Sequence, residues 1–364
     1  MSGDPPSLTI AAVLPLSGPE SLFGHQSLQG ARMAVAEINA AGGVRGRRVD
    51  LVVHDQRTET QLAVDQTRAA LADGAFAILG PTSSADRDAM LPLCEQARRP
   101  LLYATDYEGG QCSRYLFCYS PIPEHYLKPL VPFLIERSGD RFALIGADYV
   151  WPRGIGRALR TVVEARGGTL DAEIYRPMEQ MDFAADLEAL DGAGTVVVVL
   201  LGASGQSFLQ QFAAHEFAHR PRLAVMAFNE NYMAGLPSDV VEGIVTAVPF
   251  LESLDLPEAR DFVARQRAMF GPDAVVSYFA ESHYGLLMFL RDAIEAVGSD
   301  DVEAVIDAMG DRTRTVGNGP VTLRASDHHM ILNMVIAEVR DGELLAVQDV
   351  GRIAPPDQCA GSDE

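Results

Sequence analysis

Hydroxyl side chains lie at the ends of two apolar runs in the first third of the chain. Ser83 and Ser84 follow the run FAILG closely, and Tyr103 and Thr105 end the run RPLLYAT. The two serines precede a helix-like segment, where unpaired backbone N–H groups and the helix dipole attract a ligand oxygen. Such groups suit an uncharged ligand that makes several hydrogen bonds. Plain helix capping would explain the serines without any ligand.

The only tryptophan of the chain, Trp151, lies in the stretch LIGADYVWPRG, where a predicted strand gives way to a helix. Tyr149 precedes it by two residues, and Pro152 suits the first turn of a helix because its missing N–H has no partner there. The two aromatic rings would wall a small ligand while phenol and indole groups offer hydrogen bonds. Packing of Trp151 against the helix or a lobe interface is an equally good interpretation.

The elements that must position these side chains alternate along the chain. Strand-like runs such as LTIAAVLPL, RVDLVVHD and AFAILG are separated by amphipathic helical segments, and Gly42 and Gly43 end the first of these helices. This order predicts parallel βαβ units. The runs FAILG, FALIG and VVVVLLG each end in glycine before a polar loop. Because ligands bind beyond the carboxyl ends of such strands, we expect one site between two sheets.

The length and the net charge of the chain limit the classes of protein to which it can belong. With 364 residues, the chain is longer than a single core usually supports, which predicts two domains. The net charge of −21 argues against binding to nucleic acid or to an anionic membrane. Lys128 is the only lysine, which excludes the phosphate-binding lysine of a P-loop. No apolar run is long enough to predict insertion into a membrane.

The start of the chain and its cysteines leave the compartment open. The first residues lack the basic and apolar regions of a signal peptide, so the protein is periplasmic if a signal peptide was removed and cytoplasmic if Met1 is the native start. Cys94 is expected in the core and Cys359 in a polar tail. Cys112 and Cys118 form the one locally conceivable disulfide.

One enzyme motif is present in HEFAH, where His215, Glu216 and His219 match the zinc-protease pattern H-E-x-x-H. The match lies where a predicted helix ends, and no third ligand follows, so we expect no metal and treat a zinc metallopeptidase as a remote alternative. The loop after the first strand is poor in glycine, which argues against a dinucleotide, and we expect no cofactor. The hydrolase pattern G-x-S-x-G is also absent.

The stretch AVAEINAAGGVRGRRVDLVVHD resembles the first helix, turn and second strand of type I periplasmic binding proteins. The stretches LLYATDYEGGQCSRYLFCYSPIPEH, LIGADYVWPRG and GNGPVTLRASDHHM resemble the amide- and urea-binding branch of that family. The resemblance spans roughly residues 8–350. It implies an α/β fold of two Rossmann-like lobes joined by three crossovers, with a ligand cleft between the lobes. The first lobe would take residues 1–120 and 256–315, and the second would take 121–255 and 316–364.

The resemblance implies a receptor and not an enzyme. The receptor would close on a short-chain amide or urea, or less readily on a branched-chain or other small amino acid, and would deliver it to the permease of an ABC importer. The alternative is a cytoplasmic amide sensor that controls an antiterminator protein of an amidase operon. The sequence does not separate these outputs and does not give the oligomeric state.

The resemblance also implies ligand-binding residues. Ser84, Tyr103, Thr105 and Tyr149 match the family's motifs. Trp151 occupies a position where relatives have another aromatic residue, and Ser204 and Asn229 are less securely aligned. Two positions depart from the pattern. Thr82 replaces an aromatic residue of the amide sensor, and Asp106 places a carboxylate where relatives tend to be uncharged. A carboxylate there would favour a ligand that carries an amine.

Overall fold

The computed structural model describes residues 7–360, and its first part is a parallel five-stranded sheet. The elements in chain order are β1 (Leu8–Leu14), α1 (Ser21–Ala40), β2 (Val49–Asp55), α2 (Thr60–Ala72), β3 (Ala77–Leu79), α3 (Ser84–Ala97), β4 (Leu101–Tyr103) and β5 (Leu116–Cys118). The strand order is β2-β1-β3-β4-β5, with every neighbouring pair parallel. The prediction of parallel βαβ units in this region is confirmed.

The chain then crosses to a second sheet. The elements are α4 (Pro123–Ser138), β6 (Arg141–Ala147), α5 (Val150–Glu164), β7 (Thr169–Arg176), α6 (Ala184–Leu190), β8 (Thr195–Val199), α7 (Gly202–Ala214), β9 (Arg222–Val225), α8 (Glu230–Met233), α9 (Ser238–Val241) and β10 (Val245–Val248). Strand β8 is fully buried, because strands of a parallel sheet carry helices on both faces.

Three helices return to the first sheet before the chain rejoins the second. They are α10 (Pro257–Phe270), α11 (Tyr278–Val297) and α12 (Val302–Met309), and the last strands are β11 (Arg312–Val316), β12 (Gly319–Leu323), β13 (Met330–Arg340) and β14 (Glu343–Ile353). The second sheet has the order β11-β12-β13-β10-β9-β8-β6-β7, and β14 pairs with β13. The chain therefore passes between two α/β lobes three times, as predicted. The residue boundaries expected for the lobes stay predictions.

Close helix packing joins the segment of helices α10 to α12 to the first lobe. Helices α1 and α11 make the most extensive helix–helix contact of the described residues. A Cβ atom on Gly30 of α1 would lie 2.0 Å from the carbonyl oxygen of Ala280, so only glycine fits there. Among residues 7–360, none of the helices has both the length and the apolarity needed to cross a membrane.

The disulfide differs from the pair that local spacing suggested. Cys112 is bonded to Cys359, and Cys118 is a buried free thiol, so the pairing of Cys112 with Cys118 is wrong. The reason is tertiary: Cys118 ends the buried strand β5, while Cys112 lies in the preceding loop, against which the chain's last segment packs. The side-chain carbonyl of Gln358 also accepts a hydrogen bond from the backbone N–H of Gly110, at 2.7 Å.

Candidate functional site

The carboxyl ends of strands from both sheets border one small cavity. About 360 Å³ there is free of protein atoms, including space that is open to solvent. This space, called the interlobe cavity below, is lined by Glu20, Phe23, Thr82, Ser83, Thr105, Asp106, Tyr149, Trp151, Leu201, Ala227 and Phe279. The cavity lies between the two sheets at the carboxyl ends of their strands, as expected, since β3 and β4 lead into one wall and β6 and β8 into the other. Five of the nine predicted ligand residues lie in this lining.

The amino-terminal end of α3 forms part of the first-lobe wall. Ser83 is the N-cap residue, and its hydroxyl accepts a hydrogen bond from the backbone N–H of Asp86, at 3.1 Å. Capping by Ser83 was predicted and is confirmed. The hydroxyl of Ser84 instead donates to the carboxylate of Glu108, at 2.8 Å, and Ser84 is not part of the cavity lining.

Tyr103 also lies outside the lining. Its hydroxyl donates to the carbonyl oxygen of Thr82, at 3.2 Å, and its ring lies under the guanidinium of Arg87. Both Tyr103 and Ser84 therefore support the wall from behind. They hold the segment that carries Thr82 in place, and their direct contact with a ligand stays a prediction.

Thr105 and Asp106 supply unpaired polar atoms to the cavity. Among the described residues, the Thr105 hydroxyl and the Oδ1 atom of Asp106 have no hydrogen-bond partner, although both side chains are buried. The other carboxylate oxygen of Asp106 accepts a hydrogen bond from the Tyr278 hydroxyl, at 2.7 Å. Burial outweighs this bond and raises the pKa of Asp106 to about 7.

Glu20 is a lining residue that sequence reasoning missed. It lies in the loop between β1 and α1, is buried, and accepts a hydrogen bond from the Thr82 hydroxyl. Burial is again the largest influence and raises the pKa of Glu20 to about 7. The available signal was its place in the loop that follows the carboxyl end of the first strand, the same kind of loop that drew attention to Tyr149 and Trp151.

Two aromatic residues form the second-lobe wall. Tyr149 is the N-cap residue of α5, and Trp151 and Pro152 lie in its first turn, as predicted. The ring centroids of Tyr149 and Trp151 are 6.5 Å apart. Trp151 is buried, and its indole N–H lies beside the Tyr126 hydroxyl of α4. The tryptophan at the strand-to-helix junction therefore faces the cavity between the lobes.

The two less securely aligned residues lie outside the lining. Asn229 caps α8: its amide oxygen accepts hydrogen bonds from the backbone N–H groups of Asn231 and Tyr232, and its amide nitrogen donates to the Ala227 carbonyl. Its amide is thus occupied by contacts within the second lobe, and its expected ligand role stays a prediction. Ser204 lies in the first turn of α7 with a buried hydroxyl that has no partner among the described residues.

The two lobes touch around the interlobe cavity. The side-chain amide of Asn231, in the second lobe, donates to the backbone carbonyl of Leu22 in the first, at 2.8 Å. Gly154 in α5 lies so close to the first lobe that a Cβ atom there would be 2.4 Å from the Cβ of Glu108. These contacts hold the two lobes against each other next to the cavity.

The zinc-peptidase alternative is wrong because its residues do not share a helix face. Helix α7 ends at Ala214, so His215 occupies the C-cap position and His219 lies beyond the helix. The backbone N–H of His219 is bonded to Asp191. Among residues 7–360, no group of three or more His, Cys, Asp or Glu side chains is placed to hold a metal ion.

A family model described as periplasmic binding protein matches residues 7–343. A relative in Brucella abortus named Leu/Ile/Val-binding protein homolog 8 is 24% identical, with 92% of this chain and 89% of the relative covered. Homolog 4 of the same organism is 22% identical, with coverages of 91% and 84%.

Solved structures share the fold at low identity. A solute-binding protein of an ABC transporter from R. palustris, in complex with benzoate, has a TM-score of 0.86 at 19% identity, covering 96% of this chain and 98% of that one. The branched-chain amino acid binding protein LivJ from Streptococcus pneumoniae, in complex with isoleucine, has a TM-score of 0.84 at 20% identity, covering 95% and 99%. The chain belongs to the periplasmic binding protein family.

Proposed function

We propose that this protein is the receptor of an ABC importer and that it closes on a small polar molecule of amide- or urea-like shape. The observation that carries the proposal is the interlobe cavity, which lies where both lobes meet and is lined by hydroxyl, carboxyl and aromatic groups. The relatives with solved structures bind isoleucine and benzoate, which are also small molecules with a polar end.

The unpaired polar atoms support a ligand that makes several hydrogen bonds. Thr105 and Asp106 on the first lobe each leave a buried polar atom without a partner among the described residues. Such groups are costly unless something binds them, at about 1–3 kcal/mol each. A planar amide or urea, held between these groups and the Tyr149 ring, would satisfy them.

Closure would follow from contacts with both lobes. The first lobe would bind the ligand through Thr82, Ser83 and Thr105, and closure would then add Tyr149 and Trp151. Moving a hinge from 1% to 99% closed requires about 5.5 kcal/mol of differential affinity. A few buried hydrogen bonds and the burial of aromatic surface are of that size.

The disulfide favours an importer over a cytoplasmic amide sensor. Cys112 and Cys359 are bonded, and disulfides persist mainly in oxidising compartments such as the bacterial periplasm. An importer receptor works there, whereas a regulator that holds an antiterminator works in the reducing cytosol. Deletion of the gene should therefore abolish uptake of the labelled ligand. Intact uptake with altered expression of an amidase would instead identify the regulator.

The ligand class is testable with the protein's own fluorophore. Trp151 is the only tryptophan and lines the cavity, so its emission should shift when acetamide, formamide or urea binds, and thermal denaturation should move upward. Tyr149→Ala should abolish both responses, whereas Tyr175→Ala, outside the lining, should retain them. Unchanged binding by Tyr149→Ala would show that the ligand binds elsewhere, and a response to small amino acids alone would contradict the amide-like class.

A further inference from the structure

The charged side chains that line the interlobe cavity are all acidic. Glu20 and Asp106 both contribute carboxyl groups to its lining, and among the described residues the lining contains no arginine, lysine or histidine. The two groups come from different segments, the β1–α1 loop and the loop after β4. A ligand with its own carboxylate would have to lie beside two acidic groups with no cation to balance it.

The groups that face the two carboxyls are neutral or acidic. Glu20 is approached by the Thr82 hydroxyl, the Asp86 carboxylate of α3 and the Tyr149 ring of α5. Asp106 is approached by the Tyr278 hydroxyl of α11 and by Tyr126 of α4.

Beyond Tyr278 lies a further buried carboxyl, that of Glu230 in α8. One of its oxygens accepts the backbone N–H of Glu252, at 2.7 Å, and the other has no partner among residues 7–360. The named neighbours of the two cavity carboxyls thus supply hydroxyls, aromatic rings or negative charge. None of these neighbours carries a positive charge.

A buried carboxylate without a cation is unfavourable because it has left water without gaining a compensating charge. Asp106 shows this most clearly, since its Oδ1 atom is buried and has no hydrogen-bond partner among residues 7–360. Both carboxyls consequently have a raised pKa of about 7 in the empty protein. A bound cation would stabilise their ionised forms and would supply N–H donors to the free oxygen.

We infer that the ligand is a small planar organic cation of the amidinium or guanidinium class, the charged counterpart of an amide or urea, held by the carboxylates of Glu20 and Asp106. This rests on the proposed receptor function and adds the charge of the ligand to it. N–H groups of the cation donate to the two carboxylates, and its face lies against Tyr149 and Trp151. Cations bind favourably over such rings, and tryptophan is the best of them.

Calorimetry with four probes tests the inference. Guanidinium chloride, acetamidinium chloride, urea and acetamide are titrated at millimolar concentrations into the wild-type protein, with sodium chloride matching the ionic strength. The two cations should bind at least about tenfold more tightly than urea and acetamide at pH 8. Their affinity should fall at pH 6, because protons then occupy the carboxyls, by roughly tenfold for each carboxylate that must ionise.

Variants separate the carboxyls from general cavity effects. Glu20→Gln and Asp106→Asn should each weaken guanidinium binding by about tenfold or more and should change urea binding by a much smaller factor. Asp148→Asn is the matched control, because Asp148 is exposed beside Tyr149, outside the lining, and pairs with Arg153. It should leave all four affinities within about twofold of the wild type.

The outcomes distinguish this inference from the proposed function. Tighter binding of urea or acetamide than of either cation overturns the inference and leaves the amide-like receptor intact. Cation binding that is unchanged in both variants also overturns it. If none of the four probes binds, both the cation class and the amide-like ligand class fail, while the fold and family membership are unaffected.

Discussion

Two groups of buried charged side chains near Tyr103 differ in whether they have a partner of opposite charge. On one side, the fully buried guanidinium of Arg87 is paired with Glu108 at 3.2 Å and with Asp88 at 2.9 Å, and it lies over two tyrosine rings. On the other side, Glu20 and Asp106 line the cavity with no cation beside them. The buried charge of Arg87 is thus balanced within the chain, whereas the two cavity carboxyls have no such partner among the described residues.

A single loop connects the two regions. Asp106 and Glu108 are two residues apart, yet the first has an unpaired oxygen and the second accepts hydrogen bonds from Arg87 and Ser84. The end of this loop is tied to the chain's last segment through Cys112 and Cys359. The hydrogen bonds of Glu108 therefore hold the loop in place, and Asp106 presents its carboxyl to the cavity.

Removal of Arg87 should have the largest effect. Arg87→Met leaves the carboxylate of Glu108 largely buried without its partner, so we expect the free energy of unfolding to fall by about 3–5 kcal/mol in chemical denaturation. Arg68→Met is the control, because Arg68 is well exposed and pairs only with an exposed Asp65. A variant of Arg87 as stable as the control would show that this ion pair does not hold the wall.

Loss of the disulfide should have the next largest effect. Cys359→Ser releases the loop that carries Asp106 and Glu108, and we expect stability to fall by about 2–4 kcal/mol. Ligand affinity should fall as well, because the cavity carboxyl is less firmly positioned. A reductant should destabilise the wild type in denaturation curves and leave the variant unchanged; equal sensitivity of both proteins would contradict the assigned pair.

Replacement of a carboxyl by an amide should change stability in opposite directions at Asp106 and at Glu108. At pH 8 and without ligand, Asp106→Asn should raise stability by about 1–3 kcal/mol, because it removes an unpaired buried charge. Glu108→Gln should lower stability by a similar amount, because it removes the partner of Arg87. Thermal denaturation of both variants measures the signs, and a loss of stability in both would show that Asp106 is balanced in the empty protein.

The gain from Asp106→Asn should depend on pH. Burial raises the pKa of Asp106 from 3.8 in the unfolded chain to about 7, so the folded protein holds a proton that the unfolded chain has released. This contribution to stability is present below pH 4 and is lost as the pH rises through about 7. The variant's advantage should therefore be large at pH 8 and absent near pH 4, and a constant advantage in denaturation curves would contradict the raised pKa.

Removal of single hydroxyls should have the smallest effects. Tyr149→Phe should weaken ligand binding by about 0.5–1.5 kcal/mol with little change in stability, since Tyr149 lines the cavity. Tyr107→Phe should instead lower stability by about 1 kcal/mol and leave affinity unchanged, since the Tyr107 hydroxyl is bonded to His329 behind the wall. Calorimetry and denaturation of both variants test this separation, and exchanged effects would contradict it.

Local signals predicted the features that depend on neighbours in sequence. The alternation of strands and helices predicted the parallel βαβ units, Gly42 and Gly43 lie just beyond the end of α1 with positive φ, Ser83 caps α3, and Pro152 lies in the first turn of α5 as expected. Each of these follows from backbone geometry within a few residues.

Features that depend on distant contacts were not predictable in the same way. Cys359 is 247 residues from Cys112, so spacing favoured the nearer Cys118. Glu20 had no motif around it, because its burial arises only when α3 and the second lobe pack over the first loop. Ser84 was placed correctly near the cavity, but its hydroxyl direction depends on Glu108 in another loop.

The most direct test of the account is the number of protons released when a cation binds. Titration of guanidinium at pH 7 in two buffers of different ionisation enthalpy gives this number. With Glu20 and Asp106 each about half protonated in the empty protein, we expect the release of up to about one proton per ligand, and about half of that in Asp106→Asn. Binding without any proton release in the wild type would contradict it.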